Sequence, residues 1–116
     1  MGELRIRKIQ EFIKQEVSRI ILQELKDPRL GFVTVTDVRI TGDLREATVY
    51  VSLYGSDEEK KNTLAALAKA NGFIRSEVGK RLGIRYSPQI GFKEDQSLDY
   101  GMKIEKILHT IDNGEI

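Results

Sequence analysis

Residues 64–83 read LAALAKANGFIRSEVGKRLG, and this stretch is the most informative about the fold because it encodes two helices with a break between them. Gly72 at the break costs a continuous helix about 1 kcal/mol relative to Ala, so a kink is predicted at Ala70-Asn71-Gly72. Gly83 suits the left-handed cap that ends a helix. Apolar residues repeat at helical spacing on both sides of the break: Leu64, Leu67, Ala68, Phe73, Ile74, Val78 and Leu82.

A longer amphipathic helix is predicted N-terminal to this pair, over residues 5–26. Pro28 cannot continue a helix and disfavours helical angles at Asp27, so the chain must turn there. One stripe of the helix is apolar, at spacings of three and four residues. Its members are Ile6, Ile9, Ile13, Val17, Ile20, Ile21 and Leu25.

Two strands follow, over residues 32–40 and 47–54, both rich in β-branched residues. The second alternates apolar and polar side chains, which predicts an antiparallel pair with one face on the core. Ser56 and Glu59 form a capping box that opens the next helix.

A third strand is predicted over residues 89–93, with Ile90 and Phe92 facing inward, and a last helix over about 97–111. The chain is therefore an α+β protein of αββααβ order with a C-terminal helix. Its 116 residues suffice for one domain. We take residues 5–95 as the core of that domain.

The charged residues are segregated along the chain, although the formal net charge is only +1. Residues 69–93 hold a single acidic residue, Glu77, against six basic ones. A local excess of this size is typical of a surface that meets phosphate, with an ordinary solvated face as the alternative. The six are Lys69, Arg75, Lys80, Arg81, Arg85 and Lys93.

The residues needed for catalysis or metal binding are scarce. The chain has no Cys, which excludes disulfides, thiolate metal sites and cysteine nucleophiles. His109 is the single His and falls in the predicted C-terminal helix. No serine-nucleophile motif occurs, and Gly79-Lys80 lacks the upstream Gly of a phosphate-binding loop. We expect no catalytic residues, metal or cofactor, and no apolar run is long enough to span a membrane.

A kinked helix pair beside a three-stranded sheet resembles a type II KH domain, a module that binds single-stranded nucleic acid. The usual Gly-x-x-Gly loop is replaced here by Lys69-Ala70-Asn71-Gly72, which lacks the first Gly. Binding through basic side chains is therefore expected to outweigh a backbone phosphate clamp. The alternative for Gly72 is that it only lets two helices pack at an angle.

Several motifs in order resemble the ribosome-binding factor A family over residues 5–111. They include residues 26–38 (KDPRLGFVTVTDV), residues 47–51 (ATVYV), residues 72–77 (GFIRSE) and residues 82–88 (LGIRYSP). The family also has the Ala-x-Gly kink. The resemblance implies a non-enzymatic RNA-binding protein of the cytoplasm that binds free 30S subunits. It also implies a role in late maturation of 16S rRNA near its 5′-terminal helix, most needed in the cold.

Eleven residues are candidates for RNA contact on these grounds. They are Lys69, Ala70, Asn71, Gly72, Arg75, Lys80, Arg81 and Arg85, with Arg5, Lys8 and Arg29 as second-line candidates. Further candidate partners are other assembly factors such as a GTPase, and we expect a monomer with no membrane association. The alternative function is a KH-like adaptor that binds proteins and contacts little RNA, which the acidic C-terminal segment favours.

Overall fold

The computed structural model describes residues 2–83 and 87–95. Its elements are α1 (Glu3–Gln23), β1 (Val33–Ile40), β2 (Glu46–Leu53), α2 (Asp57–Lys69), α3 (Asn71–Leu82) and β3 (Gln89–Glu94). The predicted αββααβ order is confirmed. The expected helix over 97–111, with His109, lies outside the described residues. None of the helices in the described ranges is long and apolar enough to cross a membrane.

The three strands form one mixed sheet in the order β1-β2-β3. β1 and β2 are antiparallel, as predicted, whereas β3 lies parallel to β2. Parallel neighbours require a long crossover, and α2 with α3 supplies it. The β1–β2 register shifts at Thr36, where a bulge interrupts the ladder. At this bulge the Thr36 hydroxyl oxygen lies 3.2 Å from the Tyr50 carbonyl oxygen.

The core lies between the helices and one face of the sheet. The α1 stripe contributes Ile13, Val17 and Ile20, all fully buried. Gln10 on the same helix accepts a hydrogen bond from the Ile40 amide at 2.9 Å, which ties α1 to β1. The sheet and the other helices complete one continuous apolar cluster, with Val35, Val38, Ile40, Ala47, Val49, Val51, Leu53, Leu67, Ile74, Val78 and Ile90.

Two local predictions about apolar residues were wrong. Ala68 is exposed and Ala66 is buried instead, because the buried positions of α2 fall at 63, 66 and 67, on the other side of the helix. Phe32 was expected in the first strand, but β1 begins at Val33 and the Phe32 side chain is 85% exposed. A run of β-branched residues predicts a strand, but it does not show whether the first residue of the run pairs with a neighbouring strand.

The predicted helix ends are confirmed in detail at α2 and α3. Ser56 Oγ accepts from the Glu59 amide, and Glu59 Oε1 accepts from the Ser56 amide, each at 3.1 Å. These bonds hold the pKa of the Glu59 carboxyl below its usual value. Gly83 adopts φ 68°, the left-handed cap expected after α3. α1 ends at Gln23, three residues before the predicted Lys26.

Candidate nucleic-acid interface

The junction of α2 and α3 is a kink and not an open loop. Ala70 alone joins the two helices, with φ −83° and ψ −1°. Its amide donates to the Ala66 carbonyl and its carbonyl accepts from the Ile74 amide, both at 3.0 Å. These two amides are therefore already used inside the protein. A ligand phosphate at the kink would depend on side chains to a larger extent than in an open loop.

Gly72 follows the kink and is exposed. A Cβ built on Gly72 would have no atom within 4 Å, and its φ is not in the left-handed region. Neither helix packing nor backbone geometry therefore requires glycine here. The alternative that Gly72 exists to let the helices pack therefore loses its physical basis, and the surface at Gly72 is open.

Asn71 anchors the kink to the sheet. Its Nδ2 donates to the Ile90 carbonyl of β3, across 19 residues of sequence. The β3 residues on either side, Gln89 and Gly91, are register partners of β2. The Asn71 side chain therefore places the start of α3 against β3, a structural task that accompanies its candidate role in binding.

A groove of about 730 Å³ borders the kink at Ala70. It is lined by the turn after α1 and by the last turn of α2: Leu25, Lys26, Asp27, Pro28, Arg29, Ala66, Lys69 and Ala70. Three cations and one carboxylate line it, so its formal charge is +2. We call this surface the basic groove. It brings together Arg29 and Lys69, which lie 40 residues apart in the sequence.

The wall of the basic groove is rigid because Asp27 holds Arg29 at three points. Asp27 Oδ1 accepts from the Arg29 amide at 2.9 Å and from Nε at 3.2 Å, while Oδ2 accepts from Nη2 at 2.9 Å. The Arg29 side chain, followed by its amide and by the positive charges of Arg29 and Lys69, lowers the pKa of Asp27 to about 2. The same pair raises the pKa of Arg29 above its usual value.

Lys26 is a residue of the basic groove that the sequence reasoning missed. It is exposed and immediately precedes the Asp27-Pro28-Arg29 turn. Its position beside that turn is the one signal that would have singled it out.

The basic residues of α3 do not form a single patch. Arg75 and Arg81 are six residues apart, which places them about 120° apart around the helix. Arg75 is partly buried, and its Nη2 donates to the Ser87 carbonyl at 3.3 Å, while Ser87 Oγ donates to the Arg75 carbonyl at 2.7 Å. Arg81 pairs with Glu16 of α1 at 3.2 Å. Both side chains therefore contribute to holding the fold together.

Three further candidate residues, Lys80, Arg5 and Lys8, are exposed. Lys80 is 71% exposed and lies 3.7 Å from Glu77. Arg5 and Lys8 share one face of α1, since they are three residues apart, but α1 carries Arg5 about 27 Å from its own C-terminal end at Gln23. They therefore do not join the basic groove. Arg85 lies outside the described residues.

No group of three or more His, Cys, Asp or Glu side chains that could hold a metal ion occurs in residues 2–83 and 87–95. The positive charge at the candidate interface comes from Lys26, Arg29 and Lys69.

Comparisons with known proteins give a consistent result. The family model for ribosome-binding factor A matches residues 5–108. Ribosome-binding factor A of Brevibacillus brevis is 52% identical over 111 residues, which is 96% of this chain and 92% of that protein.

Solved structures agree with the sequence comparison. The crystal structure of ribosome-binding factor A from Thermus thermophilus has a TM-score of 0.67 at 26% identity, over 77% of this chain and 94% of that one. The solution structure of a Thermotoga maritima protein described as a putative ribosome-binding factor A has a TM-score of 0.63 at 39% identity, over 79% and 84%.

A third similar structure is a homology model of the Thermus thermophilus factor fitted into a cryo-electron microscopy map of its complex with the 30S subunit. It has a TM-score of 0.61 at 28% identity, over 73% of this chain and 89% of that one. The extent of these matches, together with the kinked helix pair on a three-stranded sheet, shows that the chain belongs to the ribosome-binding factor A family.

Proposed function

We propose that this protein is a non-enzymatic assembly factor that binds the free 30S subunit by contacting 16S rRNA. The observation that carries the proposal is the basic groove, whose lining includes Ala70, two residues before the exposed Gly72. Lys26, Arg29 and Lys69 supply positive charge there, and the missing side chain at Gly72 lets an RNA backbone come close. The 30S complex of the related Thermus thermophilus factor supports the identity of the partner.

Within this proposal the candidate residues have different tasks. Lys69 and Arg29 neutralise phosphates together with Lys26, while Ala70 and Asn71 set the angle and position of the kink. Lys80 adds charge on α3, and Arg5 with Lys8 offers a separate contact on α1. Arg75 and Arg81 keep α3 in place, so their effect on binding is largely indirect. Arg85 remains a candidate on sequence grounds.

The biological step that we propose is late maturation of 16S rRNA near its 5′-terminal helix. A protein that binds partly single-stranded rRNA keeps it from pairing wrongly until processing is complete. Misfolded RNA helices escape more slowly at low temperature, so the requirement should be strongest in the cold. We further propose that the protein acts as a monomer in the cytoplasm, where free subunits mature.

Sedimentation with purified 30S subunits and 70S ribosomes across a salt series tests this proposal. We expect co-sedimentation with free 30S subunits that falls steeply as salt rises. The double variant Lys26→Glu/Lys69→Glu should bind about tenfold more weakly, and its log–log salt slope should fall by about 0.7 to 0.9 for each phosphate that it no longer neutralises.

The matched control is Lys61→Glu/Lys93→Glu, which makes the same charge change at exposed positions outside the basic groove. It should retain most of the binding. Equal losses in both double variants would reject the groove as the site. Binding that is insensitive to salt and survives nuclease treatment would reject RNA contact and favour the protein adaptor.

A further inference from the structure

An exposed apolar surface lies at the end of the molecule where α1 stops and β1 starts. Leu22 is 79% and Phe32 is 85% exposed. They flank a shallow groove of about 380 Å³ that is also lined by Ile21, Leu25, Leu30, Gly31 and Val33. We call this surface the apolar groove. Two large apolar side chains this exposed at one groove are typical of a surface that another segment covers.

The same chain carries an apolar set that the described fold does not use. Residues 100–111 place Tyr100, Ile104, Ile107, Leu108 and Ile111 at spacings that fall on one side of a helix. The apolar groove and this apolar side of residues 100–111 are both without a partner in the described fold, and each suits the other.

The path of the chain brings this segment to the apolar groove. The Asp95 amide donates to the Val51 carbonyl at 2.7 Å, and Val51 is the register partner of Val35 in β1. The Asp95 carboxylate also accepts from the Thr36 hydroxyl at 2.6 Å. Because β2 lies between β3 and β1, the chain leaves the sheet two strands away from β1, at the end of the sheet where β1 begins.

The length of the connection is sufficient. Asp95 lies two strand spacings from Val35, about 10 Å, and Phe32 lies three residues before Val35, about 10 Å along β1, so Asp95 and Phe32 are about 14 Å apart. The chain from Asp95 to Tyr100 can span about 16 Å when extended. The apolar set that begins at Tyr100 therefore starts within reach of Phe32.

We propose that residues 100–111 dock as a helix onto the apolar groove of the same molecule, with their apolar side on Leu22 and Phe32. This docking does not depend on the proposed ribosomal function. It gives both apolar surfaces a partner.

A spin label attached at His109→Cys in the full-length protein tests this docking. The chain has no Cys of its own, so the label attaches at one site. Position 109 falls on the side of the predicted helix away from the apolar set, so the label should not block docking. We expect loss of the amide NMR signals of Leu22, Gly31 and Phe32, while Gly42 in the distant β1–β2 connection keeps its signal.

Two further samples decide between the possible occupants. The variant Ile104→Asp/Ile107→Asp/Ile111→Asp, with the same label, should restore the signals at the apolar groove. In a mixture of spin-labelled protein and isotope-labelled protein without a spin label, those signals should stay intact. Their loss in the mixture would mean that a second copy occupies the groove and would overturn the proposal. Undisturbed signals in the singly labelled protein would overturn it too.

Discussion

Each end of α3 contains a glycine and an arginine, but the surroundings of the two glycines differ. Its first turn contains Gly72, which is exposed and has open space where a side chain would be. Its last turns contain Gly79 and Arg81, which face neighbours: a Cβ on Gly79 would lie 2.8 Å from Ser87 Cβ, and Arg81 pairs with Glu16. Glycine and arginine serve close packing at one end, whereas at the other end the glycine packs against nothing and leaves the surface open.

The largest expected effect is that of Arg81→Glu. Glu16 is only 15% exposed, and its Oε2 pairs with both Arg81 and Arg19 at 3.2 Å. Arg81→Glu removes one of these two cations and places a second carboxylate beside Glu16 in a poorly hydrated position. We expect a loss of about 2 kcal/mol in the free energy of unfolding, measured by urea denaturation.

The control is Lys80→Glu, which makes the same charge change one residue earlier at an exposed site. It should cost less than about 0.5 kcal/mol. If the two variants lost equal stability, overall charge and not the Glu16 ion pair would be responsible.

The next largest effect is that of Gly79→Ala. The new methyl group would meet the Ser87 side chain at a distance that real Cβ atoms do not adopt, and Ser87 is held by its bonds to Arg75. Because the neighbour cannot move freely, the clash should outweigh the gain of about 1 kcal/mol in helix propensity, and we expect a net loss of about 1 kcal/mol in unfolding experiments. Unchanged stability would mean that the segment before β3 shifts at little cost.

Replacing glycine by alanine at the other end of α3 should change the stability in the opposite direction. Gly72→Ala adds a methyl group in open space and improves helix propensity, so stability should be unchanged or rise by up to about 1 kcal/mol. Binding to 30S subunits should nevertheless weaken, since the methyl group occupies the approach to the kink. Weakened stability, or full binding in the co-sedimentation assay, would contradict this interpretation of Gly72.

The smallest effect concerns pH and the turn at the basic groove. The pKa of Asp27 in the folded protein is about 2, below its usual value near 4, so the ion pair with Arg29 contributes stability above about pH 4. That contribution is lost as the pH falls from about 4 to about 2. The stability difference between the wild type and Asp27→Asn should therefore shrink over this range in urea titrations. A difference that stays constant would show that Asp27 acts by a route other than its charge.

Structural features that depend on residues close together in the chain could be predicted from the sequence. The α1 stripe, the Ser56–Glu59 capping box and the Gly83 cap are confirmed, and so are the element order and the kink. The predictions for Ala68 and Phe32 were wrong, because the exposure of these side chains depends on which other elements lie opposite them. Arg75 and Arg81 were predicted only as RNA-binding residues, because their partners Ser87 and Glu16 lie 12 and 65 residues away.

The helices and strands of the described residues, the caps of α2 and α3 and the family could thus be predicted from the amino-acid order, since spacing, capping and turn preferences act over a few residues. Which charges stand in solvent and which hold the fold became clear only from the packing of the elements. That packing placed Lys69 beside Arg29 and Asn71 on β3, and it left Leu22 and Phe32 exposed. The physical reason is that desolvation and ion pairing depend on neighbours in space, and those neighbours come from distant parts of the chain.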